Sequence, residues 1–224
     1  MKIEANGIQI NCEISGKEKA PVVVLSHSLA CSMMMWRPQL DLLERHFQVL
    51  RFDTRGHGGS DAPAGSYTLK QLVDDAIGIL DALDFDRVYW VGLSMGGMVG
   101  QALGAHHGQR LASLVLCATA AHMGQPDLWN ERIATVRRDG MAVVAEADIS
   151  EEVVRALDAD SLRKEALIDR LVPRHLEGAR RGVPAGDIDL HCVGCAPGLG
   201  YDALARCKWC LGAVRPGYWF RGSI

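Results

Sequence analysis

Runs of apolar residues mark several predicted strands in the first half of the chain. Segment 8–14 alternates apolar and polar residues, a period of two that is typical of a strand with one exposed face, and we expect it to form a hairpin with residues 2–6. Segment 21–25 is continuously apolar, which favours a strand buried on both faces of a parallel sheet. Further short apolar segments predict strands at 49–52, 87–91 and 112–117.

Segments with helical spacing separate these strands. Apolar residues recur at intervals of three and four between positions 69 and 83, which predicts an amphipathic helix. A shorter pattern at 36–47 and a run of small residues at 95–107 predict two more helices. Because buried strands alternate with helices, the sequence predicts the α/β fold class, with a doubly wound and mostly parallel sheet.

The pattern changes near residue 126. From about 128 to 176 it is helical and more charged, which indicates a helical cap beside the sheet. Beyond the cap the chain is rich in Cys, Gly and Arg, and four of its seven cysteines fall in the last 33 residues. We therefore expect an α/β core at 1–125, a helical cap at 126–178 and an atypical tail at 179–224.

Composition and charge narrow the class of protein. The 224 residues include 24 Lys and Arg against 27 Asp and Glu, so the basic excess that nucleic-acid binding needs is missing. With 48% hydrophobic and 23% charged residues, the composition is typical of a globular protein. No uncharged apolar run approaches the roughly 18 residues that cross a bilayer, and we identify no signal peptide at the start. We expect a cytoplasmic protein without nucleic-acid or membrane partners, and the oligomeric state stays open.

Candidate chemistry centres on residues 92–97, GLSMGG, which directly follow a predicted strand and directly precede a predicted helix. This is the G-x-S-x-G pattern of a nucleophile elbow, a turn so tight that side chains two positions either side of the serine have no room. Ser94 is therefore the candidate nucleophile. Because a helix N-terminus favours negative charge, we expect the Met95 N–H to donate to a developing oxyanion.

A second oxyanion donor is expected in the loop after an earlier central strand. Residues 26–30, SHSLA, occupy that place, and the backbone N–H of Leu29 is the candidate donor. We interpret His27 as a structural histidine that hydrogen-bonds this loop, since the base of such a site comes late in the chain. Residues 53–61, DTRGHGGSD, lack the spacing and the Lys of a phosphate-binding loop, so we interpret them as a turn stapled by side chains, with His57 structural.

Three of these segments resemble a known family. Residues 26–30, 52–61 and 92–97 are similar to the oxyanion, structural-turn and elbow motifs of the α/β-hydrolase superfamily. Ser28, where many members have glycine, and several later segments resemble one branch, the 3-oxoadipate enol-lactonases of aromatic-compound catabolism. Those later segments are 114–121, 129–133 and 136–141. The resemblance extends from residue 1 to about residue 150.

The resemblance implies hydrolysis of an enol-lactone or a similar carboxylic ester, with no cofactor and a small molecule as the partner. Ser94 would attack the carbonyl carbon, the amides of Leu29 and Met95 would hold the oxyanion, and a His oriented by an Asp would serve as base. Because the lactone carries a free carboxylate, Trp129 and Arg132 in the cap are candidates for binding it. A general carboxylesterase of the same superfamily is the alternative enzyme.

The family pattern does not continue after the cap. In the family, one further strand precedes the catalytic Asp and another precedes the catalytic His, and the sequence shows neither pattern. We therefore expect the C-terminal strands to be missing or aberrant. One hypothesis is a divergent triad in which Asp187 or Asp189 acts with His191, since these positions would share one face of a strand.

Three other hypotheses concern the same tail. Two C-x-x-C pairs could bind zinc through four thiolates, or they could form a disulfide cluster, which a cytoplasmic location disfavours. Alternatively the tail is the product of a shifted reading frame, and the chain would then be an inactive remnant without the catalytic Asp and His. The cysteines concerned are Cys192, Cys195, Cys207 and Cys210.

Overall fold

A computed structural model describes residues 1–121 and 126–140 and the backbone of residues 189–193. The strands are β1 (Lys2–Ala5), β2 (Ile8–Gly16), β3 (Val22–Ser26), β4 (Gln48–Phe52), β5 (Val88–Leu93), β6 (Leu111–Cys117) and β7 (Asp189–Val193). The α-helices are α1 (Arg37–Leu43), α2 (Leu69–Ala82), α3 (Met95–His106) and α4 (Pro126–Asp139), with single 3-10 turns at Met33–Trp36 and Gly108–Arg110.

The described strands form one sheet in the order β1-β2-β4-β3-β5-β6-β7. β2 pairs antiparallel with β1 and β4, whereas β4, β3, β5, β6 and β7 run parallel. The predicted α/β class with a mostly parallel sheet is confirmed. Because β4 lies on one side of β3 and β5 on the other, the winding direction reverses at β3. In open α/β sheets, ligand crevices form at such a reversal, outside the carboxyl ends of the strands.

Burial of the central strands explains their apolar sequences. All five residues of β3 are buried, as are the last four of β4. Helix α2 begins with a capping box in which Thr68 and Gln71 satisfy each other's backbone N–H. It packs on β1 through a buried apolar face, so the predicted amphipathic helix is confirmed. That face includes Val73, Ala76, Ile79 and Leu80.

Helix α3 packs on β5 and β6 through its small residues. A Cβ at Gly100 would lie 2.8 Å from the side chains of both Trp90 and Leu114, so a larger residue would push the helix away from the sheet. This close approach accounts for the run of small residues predicted as a helix at 95–107. It also keeps α3 close to the surface of β5.

Strand β7 is the described part of the tail, and it pairs parallel with β6 at the edge of the described sheet. The sequence predicts a strand here only within the hypothesis of a divergent triad, because the segment is only partly apolar. That the C-terminal strands are missing or aberrant stays a prediction for the rest of the tail. Residues 141–188 and 194–224, which hold most of the predicted cap and tail, lie outside the described residues.

Two compact units divide the described chain. One contains the sheet, from Met1 to Ala121 together with β7, and the other contains α4. Within the ranges that the structure describes, no helix is both long enough and apolar enough to span a membrane.

Candidate active site

Ser94 occupies a strained turn between β5 and α3. Its backbone φ is 50° and its ψ is −109°, a region that costs a residue with a side chain on the order of 1–3 kcal/mol. Two hydrogen bonds hold this turn to the end of β6 and the loop after it: the Ser94 N–H donates to the Cys117 carbonyl at 2.9 Å, and the Thr119 hydroxyl donates to the Ser94 carbonyl at 2.7 Å. The predicted tight strand-to-helix turn is confirmed, and the Ser94 side chain is half-buried at its apex.

The glycines around Ser94 stand where neighbouring atoms leave no room for a Cβ. A Cβ at Gly92 would collide with the Gly96 carbonyl, and one at Gly96 would collide with the Ser26 carbonyl. A Cβ at Gly97 would lie 2.7 Å from the Thr119 side chain. The G-x-S-x-G spacing is therefore a packing requirement of the elbow.

The two expected oxyanion donors belong to neighbouring elements. Met95 is the first residue of α3, where backbone N–H groups have no partner within the helix. Leu29 lies in the loop after β3, residues 27–32, which we call the β3 loop. Because Gly96 packs on Ser26 at the end of β3, this loop starts beside the first turn of α3. Leu29 as a whole residue is 44% exposed, so it lies at the surface.

Residues 53–61, which we call the β4 loop, wrap around the carboxylate of Asp53. This carboxylate accepts hydrogen bonds of 2.8 Å from the Met33 N–H, the Asn11 side chain and the Gly59 N–H. Burial alone would raise the pKa of Asp53, but these hydrogen bonds outweigh it and hold the pKa below its ordinary value. The predicted turn stapled by side chains is confirmed, and a Cβ at Gly58 would collide with the same carboxylate.

Two histidines connect the β3 and β4 loops. His27 is fully buried, with Nδ1 2.7 Å from the Ser28 carbonyl and Nε2 2.9 Å from the Thr54 N–H. His57 has Nε2 3.2 Å from the Ala30 N–H. The ring centroids are 5.1 Å apart. Burial lowers the pKa of His27, which favours the neutral ring, and the interpretation of His27 as a structural histidine is confirmed.

A buried ion pair anchors the β4 loop to α2, and sequence reasoning did not identify it. The Arg55 guanidinium makes two hydrogen bonds of 2.5 Å to the Asp75 carboxylate, and the side chains of both are at most 5% exposed. The hydrogen bonds that Arg55 donates to Asp75 raise the pKa of Arg55. A signal was present, because Asp75 lies three residues after Leu72 and four before Ile79, on the apolar face of α2.

The register of the parallel strands places Asp189 and His191, candidates for the acid and the base, away from the level of Ser94. Leu93, the last residue of β5, aligns through β6 with Val193, the last residue of β7. His191 is two residues before that level, roughly 7 Å, and Asp189 is four residues before it, roughly 13 Å. The described backbone therefore does not bring these two positions to the edge of the sheet where Ser94 lies. Asp187 is outside the described residues.

The remaining candidates lie elsewhere in the chain. Trp129 and Arg132 are three positions apart on α4, so they project from the same side of that helix, and both are half-buried. Cys192 lies in β7, while the other cysteines of the two C-x-x-C pairs are outside the described residues. Among the residues that the structure describes, no cluster of His, Cys, Asp or Glu has the geometry of a metal site.

The family model, the curated relatives and the solved structures that match this chain agree on one fold family. A family model described as the alpha/beta hydrolase fold matches residues 21–150. A curated relative, the 3-oxoadipate enol-lactonase 1 of Acinetobacter baylyi, is 38% identical over 136 residues, which are 61% of this chain and 51% of the relative. The chain spans about half the length of the curated enol-lactonases that it matches.

Two solved structures are similar over most of the described fold. The enol-lactonase from Burkholderia xenovorans LB400 is 39% identical with a TM-score of 0.66, and the match covers 75% of this chain and 66% of that one. A malate-bound thermophilic esterase from Thermogutta terrifontis is 32% identical with a TM-score of 0.60, and the match covers 66% of this chain and 56% of that one.

Proposed function

This chain belongs to the alpha/beta hydrolase fold family, and from that membership we propose that it hydrolyses a carboxylic ester, with Ser94 as the nucleophile and an enol-lactone of the 3-oxoadipate type as the substrate. The observation that carries the proposal is the strained backbone of Ser94 at the turn between β5 and α3. Strain of this kind persists only where the surrounding structure enforces it, and it concentrates at functional residues. The enol-lactonases among its relatives support the choice of substrate class.

The proposed reaction begins with attack of the Ser94 Oγ on the lactone carbonyl carbon. The resulting tetrahedral oxyanion accepts hydrogen bonds from the backbone N–H groups of Leu29 and Met95, which are stronger in the transition state than in the ground state. Collapse breaks the ring C–O bond and leaves an acyl-enzyme whose freed enol becomes a ketone. Water then attacks the acyl carbon, releases the acid and restores the Ser94 hydroxyl. One lactone and one water give one oxo acid.

A base must take the Ser94 proton, and its identity is the open part of the proposal. Asp187, Asp189 and His191 remain the candidates suggested by the sequence. The register of β7 disfavours the second and third of them, because catalytic groups of open α/β sheets lie outside the carboxyl ends of the strands. A second candidate function is a binding protein that keeps the elbow without turning a ligand over, since among the described residues these two positions do not reach the level of Ser94.

We propose that helix α4 recognises the carboxylate of the substrate. Arg132 would pair with the carboxylate and Trp129 would pack on the apolar part of the lactone, since both project from one side of the helix. A general carboxylesterase is the competing enzyme, and the similarity to a solved esterase supports it. An enzyme of that kind would cleave simple esters without preferring a substrate that carries a negative charge.

The test compares three substrates on the full chain. We expect turnover of 3-oxoadipate enol-lactone to exceed that of its methyl ester and of 4-nitrophenyl acetate, and Arg132→Gln to remove the preference for the charged lactone. Ser94→Ala should lower kcat by a factor on the order of 10⁶ if the site works as a complete triad. Equal turnover of the three substrates would select the carboxylesterase, and no turnover of any would select the binding protein.

A further inference from the structure

The β3 and β4 loops exchange hydrogen bonds through their two histidines. His27, from the β3 loop, accepts the Thr54 N–H of the β4 loop at Nε2. His57, from the β4 loop, accepts the Ala30 N–H of the β3 loop at Nε2. Each loop therefore supplies one imidazole and one amide to the other, and we call this arrangement the histidine pair.

Donor and acceptor roles fix the proton on each ring. Nδ1 of His27 faces the Ser28 carbonyl at 2.7 Å, and Nδ1 of His57 faces the Arg55 carbonyl at 3.1 Å. Because a carbonyl oxygen only accepts, each Nδ1 carries a proton and donates it. Because each Nε2 accepts from an amide, neither Nε2 carries a proton. Both rings are thus neutral and in the Nδ1–H form.

The bond from His27 acts on the peptide group that contains the candidate oxyanion donor. The Ser28 carbonyl and the Leu29 N–H belong to one planar trans peptide, so they point in opposite directions. When the ring of His27 holds the Ser28 carbonyl, it also sets the direction of the Leu29 N–H. The Cys31 N–H donates to the same carbonyl at 3.3 Å and restrains the same plane.

The bond from His57 acts on the next peptide group. The Ala30 N–H shares a plane with the Leu29 carbonyl, so both peptide planes that flank Leu29 are held by a histidine. Ala30 has a φ of 59°, in the left-handed region that an alanine avoids. The hydrogen bond to His57 therefore helps to keep a loop conformation that Ala30 would otherwise leave.

We propose that His27 and His57 are positioning residues for the oxyanion donor, which they hold through the two peptide planes on either side of Leu29. The effect of this role on catalysis depends on the proposed function. Neither ring touches the substrate in this proposal, because both act through the backbone of the β3 loop. The side chain of His57 is half-buried, so it can be replaced with less risk to folding than the fully buried His27.

The first arm of the test measures kcat and KM of the full chain with 4-nitrophenyl acetate. His57→Leu removes the acceptor for the Ala30 N–H, and His57→Gln offers a side-chain oxygen in its place. We expect His57→Leu to lower kcat by about 10- to 100-fold, the scale of a small misplacement of a catalytic group, with little change in KM. His57→Gln should restore most of the loss. His46→Leu, which replaces an exposed histidine, is the matched control and should equal the wild type.

The second arm measures the imidazole nitrogens and the Ala30 amide by ¹⁵N NMR, which needs no turnover. We expect both rings to be neutral with the proton on Nδ1, and the Ala30 amide to exchange slowly in the wild type and fast in His57→Leu. If the wild type is inactive but this pattern holds, the histidine pair stands and the proposed function fails. An unchanged kcat in His57→Leu, equal losses in the Leu and Gln variants, or a proton on Nε2 would overturn the proposal.

Discussion

At the carboxyl ends of β3 and β5, hydrogen bonds restrain the loops that follow the strands, whereas the acid and base candidates described in β7 lie before that level of the sheet. Ser94 is restrained by Cys117 and Thr119. The β3 loop is restrained by its own His27 and by His57 of the β4 loop, and Asp53 accepts the N–H of Met33 directly after it. Along β7, the candidate positions for acid and base lie roughly 7 and 13 Å before the level of Ser94.

The elbow and β7 differ in how far apart in sequence their contacting residues are. A nucleophile elbow needs one strand, one turn and one helix, and all of these lie within residues 88–106. The expected acid and base belong to the part of the chain after residue 126, far from the elbow in sequence. The elbow can therefore be complete in a chain whose later strands have another sequence. Substitutions in the restrained loops and in β7 test these two regions separately.

The largest effect on stability is expected at the ion pair that holds the β4 loop. Asp75→Ala would leave the buried Arg55 guanidinium unpaired, which typically costs about 3–5 kcal/mol of unfolding free energy. Asp74→Ala is the matched control, because the neighbouring pair with Lys70 is exposed and contributes at most about 0.5 kcal/mol. Urea unfolding of both variants measures the difference. Equal stabilities would show that the loop is not anchored through Asp75.

The elbow is expected to tolerate no side chain at Gly96. Gly96→Ala would drive a Cβ into the Ser26 carbonyl and should destabilise the protein by about 1–3 kcal/mol. Gly104→Ala on the same helix is the control, because its Cβ would meet Leu114 at an ordinary 3.4 Å and should stabilise the helix by roughly 0.5–1 kcal/mol. Thermal unfolding distinguishes them. A neutral Gly96→Ala would contradict the close packing of α3 on β3.

Stability should fall as the solution becomes acidic, because His27 is neutral in the fold. Burial holds its pKa below the ordinary value of 6.5, so the unfolded chain binds a proton that the folded chain does not. The loss of unfolding free energy therefore begins as pH falls through 6.5 and continues down to the folded pKa, by about 1.4 kcal/mol for each unit of lowering.

Asp53 adds a second loss at lower pH. Its pKa lies below the ordinary 3.8 in the fold, so the stability it contributes is present above 3.8 and disappears as pH falls through the folded pKa. Urea unfolding between pH 7.5 and pH 5 separates this loss from that of Asp53, which stays ionised there. His46→Leu should keep the full pH dependence, and a flat profile in the wild type would contradict a neutral, buried His27.

The smallest effect is expected on β7. His191 is two residues before the level of Ser94, so His191→Gln should leave the reaction of Ser94 with an aryl phosphonate at the wild-type rate. Val193→Ala at the end of the same strand is the control for any disturbance of the sheet edge. A loss of reactivity in His191→Gln but not in Val193→Ala would show that His191 serves as the base after all.

Sequence reasoning succeeded where the contacts are local. The period of α2, the buried run of β3 and the glycine spacing around Ser94 each follow from neighbours within a few positions, and all appear in the structure. It identified His27 as structural from chain order, since the base of such a site comes later in the chain, and the structure shows its ring against the Ser28 carbonyl.

Sequence reasoning did not identify contacts between distant segments. The pairing of His57 with Ala30 and of Arg55 with Asp75 joins loops and helices whose approach is set by the order of strands, which no local pattern reveals. The pairing of β7 with β6 was not identified either, because the segment is only partly apolar and its place in the sheet depends on β6. The acid and base depend on the same distant part of the chain, so they could not be assigned from residue types alone.

Labelling of the full chain by a serine-directed aryl phosphonate, followed by mass spectrometry, tests the central claim most directly. We predict one modified residue, Ser94, with no modification in Ser94→Ala or after unfolding in urea, because reactivity depends on the folded elbow and on a base. No labelling of the native chain, or labelling spread over several serines at similar rates, would contradict an activated nucleophile at this position.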